Sequence, residues 1–373
     1  MNKKEILEIR KLFRKEDSRL TRICGCYVDG NKEKKLQMRE SYFSLPEEEM
    51  FKYSDIFKKL LSGTLGKNLI NMDFPLEEEM PEGRQAFLLK LRDSALQEDV
   101  LLEHFYDQVI ATYDYAENYL ILLVHGAYDI PARTKDGESL EDASEYVYNF
   151  VLCGICPVKL AKPALCYNEI DNMIENRNRD WIVDVPEIGF LFPAFNDRNT
   201  DLHSLLYYSK NPESPHPEIN EEILGCAAPL TVKSQQSTFT ELVEDVLGEE
   251  CKFETVKTIH EQLNTLIEEQ KESPDPVVLD KGDVKRLLAS SGVKDECLEN
   301  FDENFDAAAG ERTTLVAANI ANTRKFEIKL PEVTVNVNPE RTDLVEIKEI
   351  EGRRFLMVEL TDEVEVNGIH TVM

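Results

Sequence analysis

Tyr119-Leu120-Ile121-Leu122-Leu123-Val124 is an unbroken run of six apolar residues. It is too short for an ordinary helix, which needs about 10–12 residues, and suits a strand buried on both sides. Runs of the same texture recur at 146–151, 181–185, 189–195 and 202–208. Pro, Asn, Asp and Gly punctuate them at short intervals, leaving little room for the crossover helix that parallel strands require. This part of the chain therefore predicts an antiparallel sheet.

Upstream the pattern is mixed. Ile6, Ile9 and Phe13 recur at helical spacing over 3–15, and 20–28 and 35–43 alternate as two strands joined by the turn Asp29-Gly30-Asn31. Pro46 with Glu47, Glu48 and Glu49 makes the acidic first turn of a helix whose Met50, Tyr53, Phe57 and Leu60 face a core. Further helices are expected at 83–92 and at 99–113, the second from Leu102, Phe105, Tyr106, Val109 and Ile110. Residues 1–225 thus read as an α+β domain with an antiparallel sheet.

Downstream, 226–322 reads as an acidic helical region. Residues 241–310 hold 19 acids against 7 bases, and Phe253, Val256, Ile259, Leu263 and Leu266 form one helical stripe. Within 323–373 short β-rich segments at 326–330, 333–337, 344–347 and 355–360 alternate with Pro, Asn and Gly turns, which predicts a small C-terminal β-unit. No internal repeat of solenoid length is visible.

The 373 residues are 42% hydrophobic and 31% charged, a globular composition with a formal net charge of −29. Such a field repels phosphate backbones and anionic lipid, so neither nucleic acid nor membrane is expected as a partner. The local exception is 1–40, where 12 bases meet 7 acids. The chain starts with a charged amphipathic segment, and no apolar run approaches the ~18 residues of a membrane span, so a cytoplasmic location is expected. Eight cysteines in a large chain of this kind are expected as free thiols.

Cys24-Gly25-Cys26 and Cys153-Gly154-Ile155-Cys156 could supply four thiolates to a tetrahedral zinc site, if two short loops bring them together. The competing reading is thiols packed in strands. Pro157 after Cys156 argues against a thioredoxin-like pair, which needs a helix start there. The stretch 61–68 sounds like a phosphate loop, but Leu61 stands where its first glycine belongs and Asn68 where Ser or Thr belongs. His125-Gly126 resembles an oxyanion turn, yet no Gly-Xaa-Ser-Xaa-Gly elbow accompanies it. No motif implies a cofactor.

Asn196-Asp197-Arg198-Asn199-Thr200-Asp201-Leu202-His203 joins two apolar strands and is dense in polar groups. Asp197, Arg198, Asp201 and His203 are the catalytic candidates, since two carboxylates, an imidazole and a guanidinium suit acid–base work or a hard metal. Against that stands local turn chemistry, in which Asp and Asn bond nearby backbone and Arg198 pairs with a carboxylate. Glu47–49 and Glu77–79 read as solvated faces.

The segments Arg22-Ile23-Cys24-Gly25-Cys26-Tyr27-Val28-Asp29, Cys156-Pro157-Val158-Lys159-Leu160, Gly189-Phe190-Leu191-Phe192-Pro193-Ala194-Phe195, Val337-Asn338-Pro339-Glu340-Arg341 and Val364-Glu365-Val366-Asn367-Gly368 resemble an uncharacterised bacterial family, domain of unknown function 4317. The resemblance spans nearly the whole chain. It implies a cytosolic bacterial protein and carries over no activity and no residue roles.

Two functions are compatible with this sequence. The first is a cytosolic interaction or scaffold protein with a protein partner, suggested by the acidic helical section, the charge asymmetry and the lack of a complete catalytic motif. The second is an enzyme of unrecognised type with a polar site around Asp197, Asp201 and His203. Oligomeric state is left open.

Overall fold

The computed structural model describes the chain except residues 15–18, 134–138, 311–312, 361–363, 367 and 372–373, and describes the backbone alone at 132–133, 139–145 and 249. Lys15, the expected end of the first helix, and Asn367 lie outside the described residues. The contacts divide the chain into two compact units, Met1–Thr231 and Val232–Met373. The class is α+β.

In the first unit the order is α1 (Lys3–Lys11), β1 (Leu20–Val28), β2 (Lys34–Ser41), α2 (Glu47–Leu60), β3 (Leu69–Asp73), α3 (Arg84–Asp93), α4 (Asp99–Thr112), β4 (Tyr119–Arg133), β5 (Ser139–Leu160), β6 (Leu165–Asn168), β7 (Met173–Asn176), β8 (Trp181–Val183), β9 (Ile188–Phe192), β10 (Ala194–Asn196), β11 (Asn199–Asp201), β12 (Ser204–Ser209) and α5 (Pro217–Ile219). The main sheet runs β2-β1-β4-β5-β9-β12-β3, with β8 added beside the end of β5, and every pairing is antiparallel.

Both faces of this sheet are covered, which is why its central strands read as continuous apolar runs. Ile121 and Leu123 of β4 pack with Leu88, Leu91, Phe105, Tyr106 and Val109 from α3 and α4. Leu120, Leu122 and Val124, one residue out of phase, pack with Ile6, Ile9, Phe57 and Leu60 from α1 and α2. A run of six apolar residues thus feeds two separate cores through the twofold alternation of a strand. The expected 20–28/35–43 hairpin is β1–β2, and its outer strand carries Lys34, Lys35 and Arg39 on an otherwise open edge. The expected run 189–195 is divided into β9 and β10 at the cis peptide Phe192–Pro193.

The second unit holds α6 (Val232–Leu247), α7 (Phe253–Glu269), β13 (Val278–Leu279), α8 (Lys281–Ser290), α9 (Phe301–Ala309), β14 (Leu315–Val316), α10 (Ala317–Ile320), β15 (Phe326–Lys329), β16 (Thr334–Val337), β17 (Val345–Ile350), β18 (Arg353–Val358), β19 (Val364–Val366) and β20 (Ile369–Thr371). Phe239, Leu242, Leu263, Leu288, Phe301 and Phe305 are buried among its helices. Asp280 and Asp283 form a capping box that starts α8. Among the described residues the last six strands pair as consecutive hairpins, β15–β16, β17–β18 and β19–β20.

Candidate functional site

The polar stretch after β9 is built as a small corner of its own. β10 and β11 form a two-residue hairpin in which Asn196 faces Asn199, and Asp197 and Arg198 both take positive φ, 50° and 54°. Two left-handed residues in succession are the geometry of a type I′ turn, whose twist matches that of paired strands. Asp and Asn tolerate that region better than most residues, whereas for Arg198 it is strained and needs an external hold.

Glu8 on α1 supplies the hold. Arg198 Nε lies 3.2 Å from both Oε1 and Oε2 of Glu8, and Nη2 lies 3.0 Å from Oε1. Tyr128 donates its hydroxyl to the same Oε1 at 2.8 Å, and burial together with that bond to Glu8 pushes the phenol up to about 12. Arg198 therefore points to α1 and β4.

Asp201 is the acceptor that closes the corner. Its Oδ2 receives the Asn196 side-chain amide at 2.6 Å, and its Oδ1 receives the backbone N–H of His203 at 3.0 Å. Ser204 Oγ stands 2.8 Å from Asp201 Oδ2 and 2.8 Å from Asp73 Oδ1, so its single hydrogen serves one carboxylate at a time. Burial works against the charge on Asp201, but the donors from Asn196, Ser204 and His203 outweigh it and hold the carboxyl below its ordinary value. His203 Nδ1 contacts Glu79 Oε1 at 2.7 Å, which raises the imidazole above its usual range, although the ring is 73% exposed.

Three of the four candidates are thus tied to different partners, Arg198 to Glu8, Asp201 to its own turn and His203 to Glu79, while Asp197 takes the first left-handed position of that turn. The cavity lined by Phe105, Val109, Cys153, Ile155, Phe190 and Tyr207 is apolar and includes none of them. Glu8, Asp73 and Tyr128, which complete these contacts, carry no local sequence signal that could have marked them, and Glu79, expected on a solvated face, is instead largely covered against His203.

A family model described as domain of unknown function (DUF4317) matches residues 1–369. The chain belongs to the DUF4317 family. No curated protein matches the chain. The match contains every segment on which the resemblance was noted. The family's description assigns no activity, so residue roles in this DUF4317 chain rest on its geometry.

The cysteine motifs lie on strands of the DUF4317 sheet, not on the two short loops a zinc site would use. Cys24 pairs across to Leu123 of β4, and Leu123 pairs on to Cys153 of β5, so a whole strand stands between the two motifs. Neighbouring strands are about 4.8 Å apart, which puts the two backbones about 10 Å from each other, whereas zinc needs every sulfur about 2.3 Å from one point. The second motif is also split. Cys153 faces the α3–α4 core and Cys156 the α1–α2 core, because a spacing of three on a strand reverses the face. Among the described residues no group of three or more His, Cys, Asp or Glu is placed to hold a metal ion.

The glycines in these motifs have a packing reason. Gly154 pairs with Gly189 across β5–β9, and a Cβ on Gly154 would stand 2.8 Å from Leu60 Cδ1 of α2. The two glycines form a dent that receives Leu60. Burial pushes the thiols up, Cys26 to about 11 and Cys156 to about 12, so in the folded protein they are poor ligands and poor nucleophiles. All eight cysteines are free. No helix among the described residues is long and apolar enough to cross a membrane.

Proposed function

We propose that this DUF4317 protein is an interaction or scaffold protein of the bacterial cytoplasm, binding a protein partner rather than nucleic acid or membrane. The observation that carries the reading is the arm formed by β6 and β7. Tyr167 pairs with Ile174 and Leu165 with Asn176, which places Leu165, Tyr167 and Ile174 on one face, and these are 75%, 56% and 62% exposed. Ile170 at the tip is 93% exposed. Exposed apolar side chains gathered on one element mark a contact surface more often than an isolated exposed leucine does.

The tip is held in shape, which lowers the ordering cost of binding. Asn168 donates its side-chain amide to Asp171 at 2.8 Å and to Glu175 at 2.7 Å, and Tyr167 donates its hydroxyl to Asn172 at 2.7 Å. Glu169 and Asp171 flank Ile170 in the turn, Glu175 lies on the opposite face of the arm, and the chain carries −29 overall, so the partner suited to this arm has an apolar patch accompanied by Lys or Arg. Under this reading the corner at 196–204 is architecture, its polar groups engaged in holding α1 and β3 to the sheet.

Affinity capture from the source cells tests the proposal, comparing the parent with a Leu165→Ser/Ile174→Ser double variant whose fold is checked by its melting curve. The expected result is a stoichiometric protein partner held by the parent and lost by the variant. A parent that captures nothing stoichiometric, or a partner that the variant holds equally well, contradicts it.

A further inference from the structure

The open edge of β17 is a self-complementary strand, and we propose that two copies of this chain associate through it, β17 against β17 in antiparallel register centred on Ile347. The backbone shows which groups are free. Glu359 N–H bonds Leu344 O at 2.8 Å across the ribbon, and Val345 faces Val358. By the alternation of antiparallel ladders, residues 346, 348 and 350 bond to β18, while 345, 347 and 349 turn their N–H and C=O groups to the other edge. At the inner end of that edge Val345 is already engaged, its N–H on Thr342 O and its C=O 3.3 Å from Lys257 Nζ, so the free groups are those of Ile347 and Glu349. Ile347 and Glu349 have no backbone partner there among the described residues. Ile347 is itself 42% exposed, Val358 of β18 is exposed on the same face, and Phe355 and Met357 are exposed on the other face, opposite Lys348 and Glu346. A two-stranded ribbon with apolar side chains in water is marginal by itself and is stabilised by further strands.

Charge selects both the occupant and the register. The sequence Val345-Glu346-Ile347-Lys348-Glu349-Ile350 places a carboxylate and an ammonium symmetrically about Ile347, and in one copy Glu346 and Lys348 already pair with each other. In the proposed pairing Glu346 faces Lys348 of the second copy and Lys348 faces its Glu346, closing a ring of four alternating charges. These are non-hydrogen-bonded positions, where facing side chains come closest. Ile347 meets Ile347 and exchanges two backbone hydrogen bonds. Glu349 of the second copy arrives opposite Val345, beside Lys257. Shifting the twofold centre by one residue sets Glu346 against Glu346 in one direction and Lys348 against Lys348 in the other. One register therefore fits, and it is isologous, as a twofold dimer requires. The surface belongs to the second unit and the proposal does not depend on the arm binding a partner.

The pairing covers few residues, so the association is weak and concentration-dependent. The net charge of −29 opposes it at low salt, and the measurement belongs at about 0.15 M ionic strength. Sedimentation equilibrium of the full chain is compared with Lys348→Glu and with Glu346→Lys/Lys348→Glu. The parent is expected to dimerise, Lys348→Glu to weaken the dimer about tenfold by turning two attractive pairs into repulsive ones, and the double variant to restore it with the charges exchanged. A parent that stays monomeric to about 1 mM, where association would be worth only about 4 kcal/mol, overturns the proposal. So does a dimer that Lys348→Glu leaves unchanged, or one that the double exchange fails to restore.

Discussion

Arg198, at the tip of the β10–β11 hairpin, grips the carboxylate of Glu8 on α1 across 190 residues of sequence, with Nη2 at 3.0 Å from Oε1. Both side chains are about four-fifths covered, and Tyr128 completes the acceptor. Such charge-assisted forks hold more than an exposed ion pair does.

Removing either partner should therefore destabilise the first unit. Arg198→Ala and Glu8→Ala are each expected to cost about 1–3 kcal/mol, since each leaves a partly covered charge without its partner. Urea unfolding of the two single variants and the double should show a coupling of about 1 kcal/mol or more. Strict additivity would mean that the pair does not hold α1 to the hairpin.

The dent beneath Leu60 makes a second prediction with an internal control. A methyl on Gly154 meets the end of a side chain, whereas a methyl on Gly189 would stand 2.2 Å from the backbone oxygen of Cys153. Gly154→Ala should cost about 1–3 kcal/mol by overpacking, and Gly189→Ala more. Adding Leu60→Ala should offset part of the Gly154→Ala loss and leave most of the Gly189→Ala loss in place. Equal rescue of both by Leu60→Ala would contradict the packing account.

The sheet was readable because its signal is local. Six apolar residues from Tyr119 to Val124 alternate between two cores, and Asp29-Gly30 marks the β1–β2 turn. The fork of Arg198 was not readable, because Glu8 is 190 residues away and no period links them. The same holds for His203 with Glu79, 124 residues apart, and for Ser204 with Asp73, 131 apart. The strand β3 (Leu69–Asp73) escaped notice for the same reason: its place beside β12 is fixed by tertiary pairing, and its five residues carry only a weak alternation. The splitting of Cys153 from Cys156, by contrast, follows from an odd spacing once both are placed on a strand.

Acid should act through a buried imidazole. His125 on β4 is 5% exposed, its Nδ1 lies 2.7 Å from Thr21 Oγ1, and burial, with Arg92 nearby, lowers it from 6.5 to about 4. Between those values the unfolded chain binds a proton at this position that the folded chain does not. Stability from His125 is thus present above pH 6.5 and is lost as pH falls toward 4, by about 3 kcal/mol in total. His260, also lowered by burial, contributes in the same direction in the second unit. Thermal midpoints from pH 7 to 5 should fall less steeply for His125→Gln than for the parent. Parallel slopes would show that His125 binds its proton equally well in the folded and unfolded chain and would contradict the lowered value.

The thiols should react in the order of their cover. Cys251 is exposed, Cys166 and Cys297 are half-buried, and Cys24, Cys26, Cys153, Cys156 and Cys226 are buried. A chromogenic disulfide reagent should label Cys251 first in native protein, Cys166 and Cys297 more slowly, and all eight only after unfolding. Labelling of Cys24 or Cys153 as fast as Cys251 would contradict the described sheet.

The most direct test concerns the polar corner, because the reading of this chain as an interaction protein treats Asp201 as a structural acceptor. Asp201→Asn replaces either the oxygen that faces Asn196 and Ser204 or the one that receives His203 N–H with a donor, while His203→Ala removes an exposed ring that contacts Glu79. Urea unfolding of both variants beside the parent should show a loss of about 1–2 kcal/mol for Asp201→Asn and less than about 0.5 kcal/mol for His203→Ala. Full parental stability in Asp201→Asn would contradict the structural role and return the corner to the catalytic candidates.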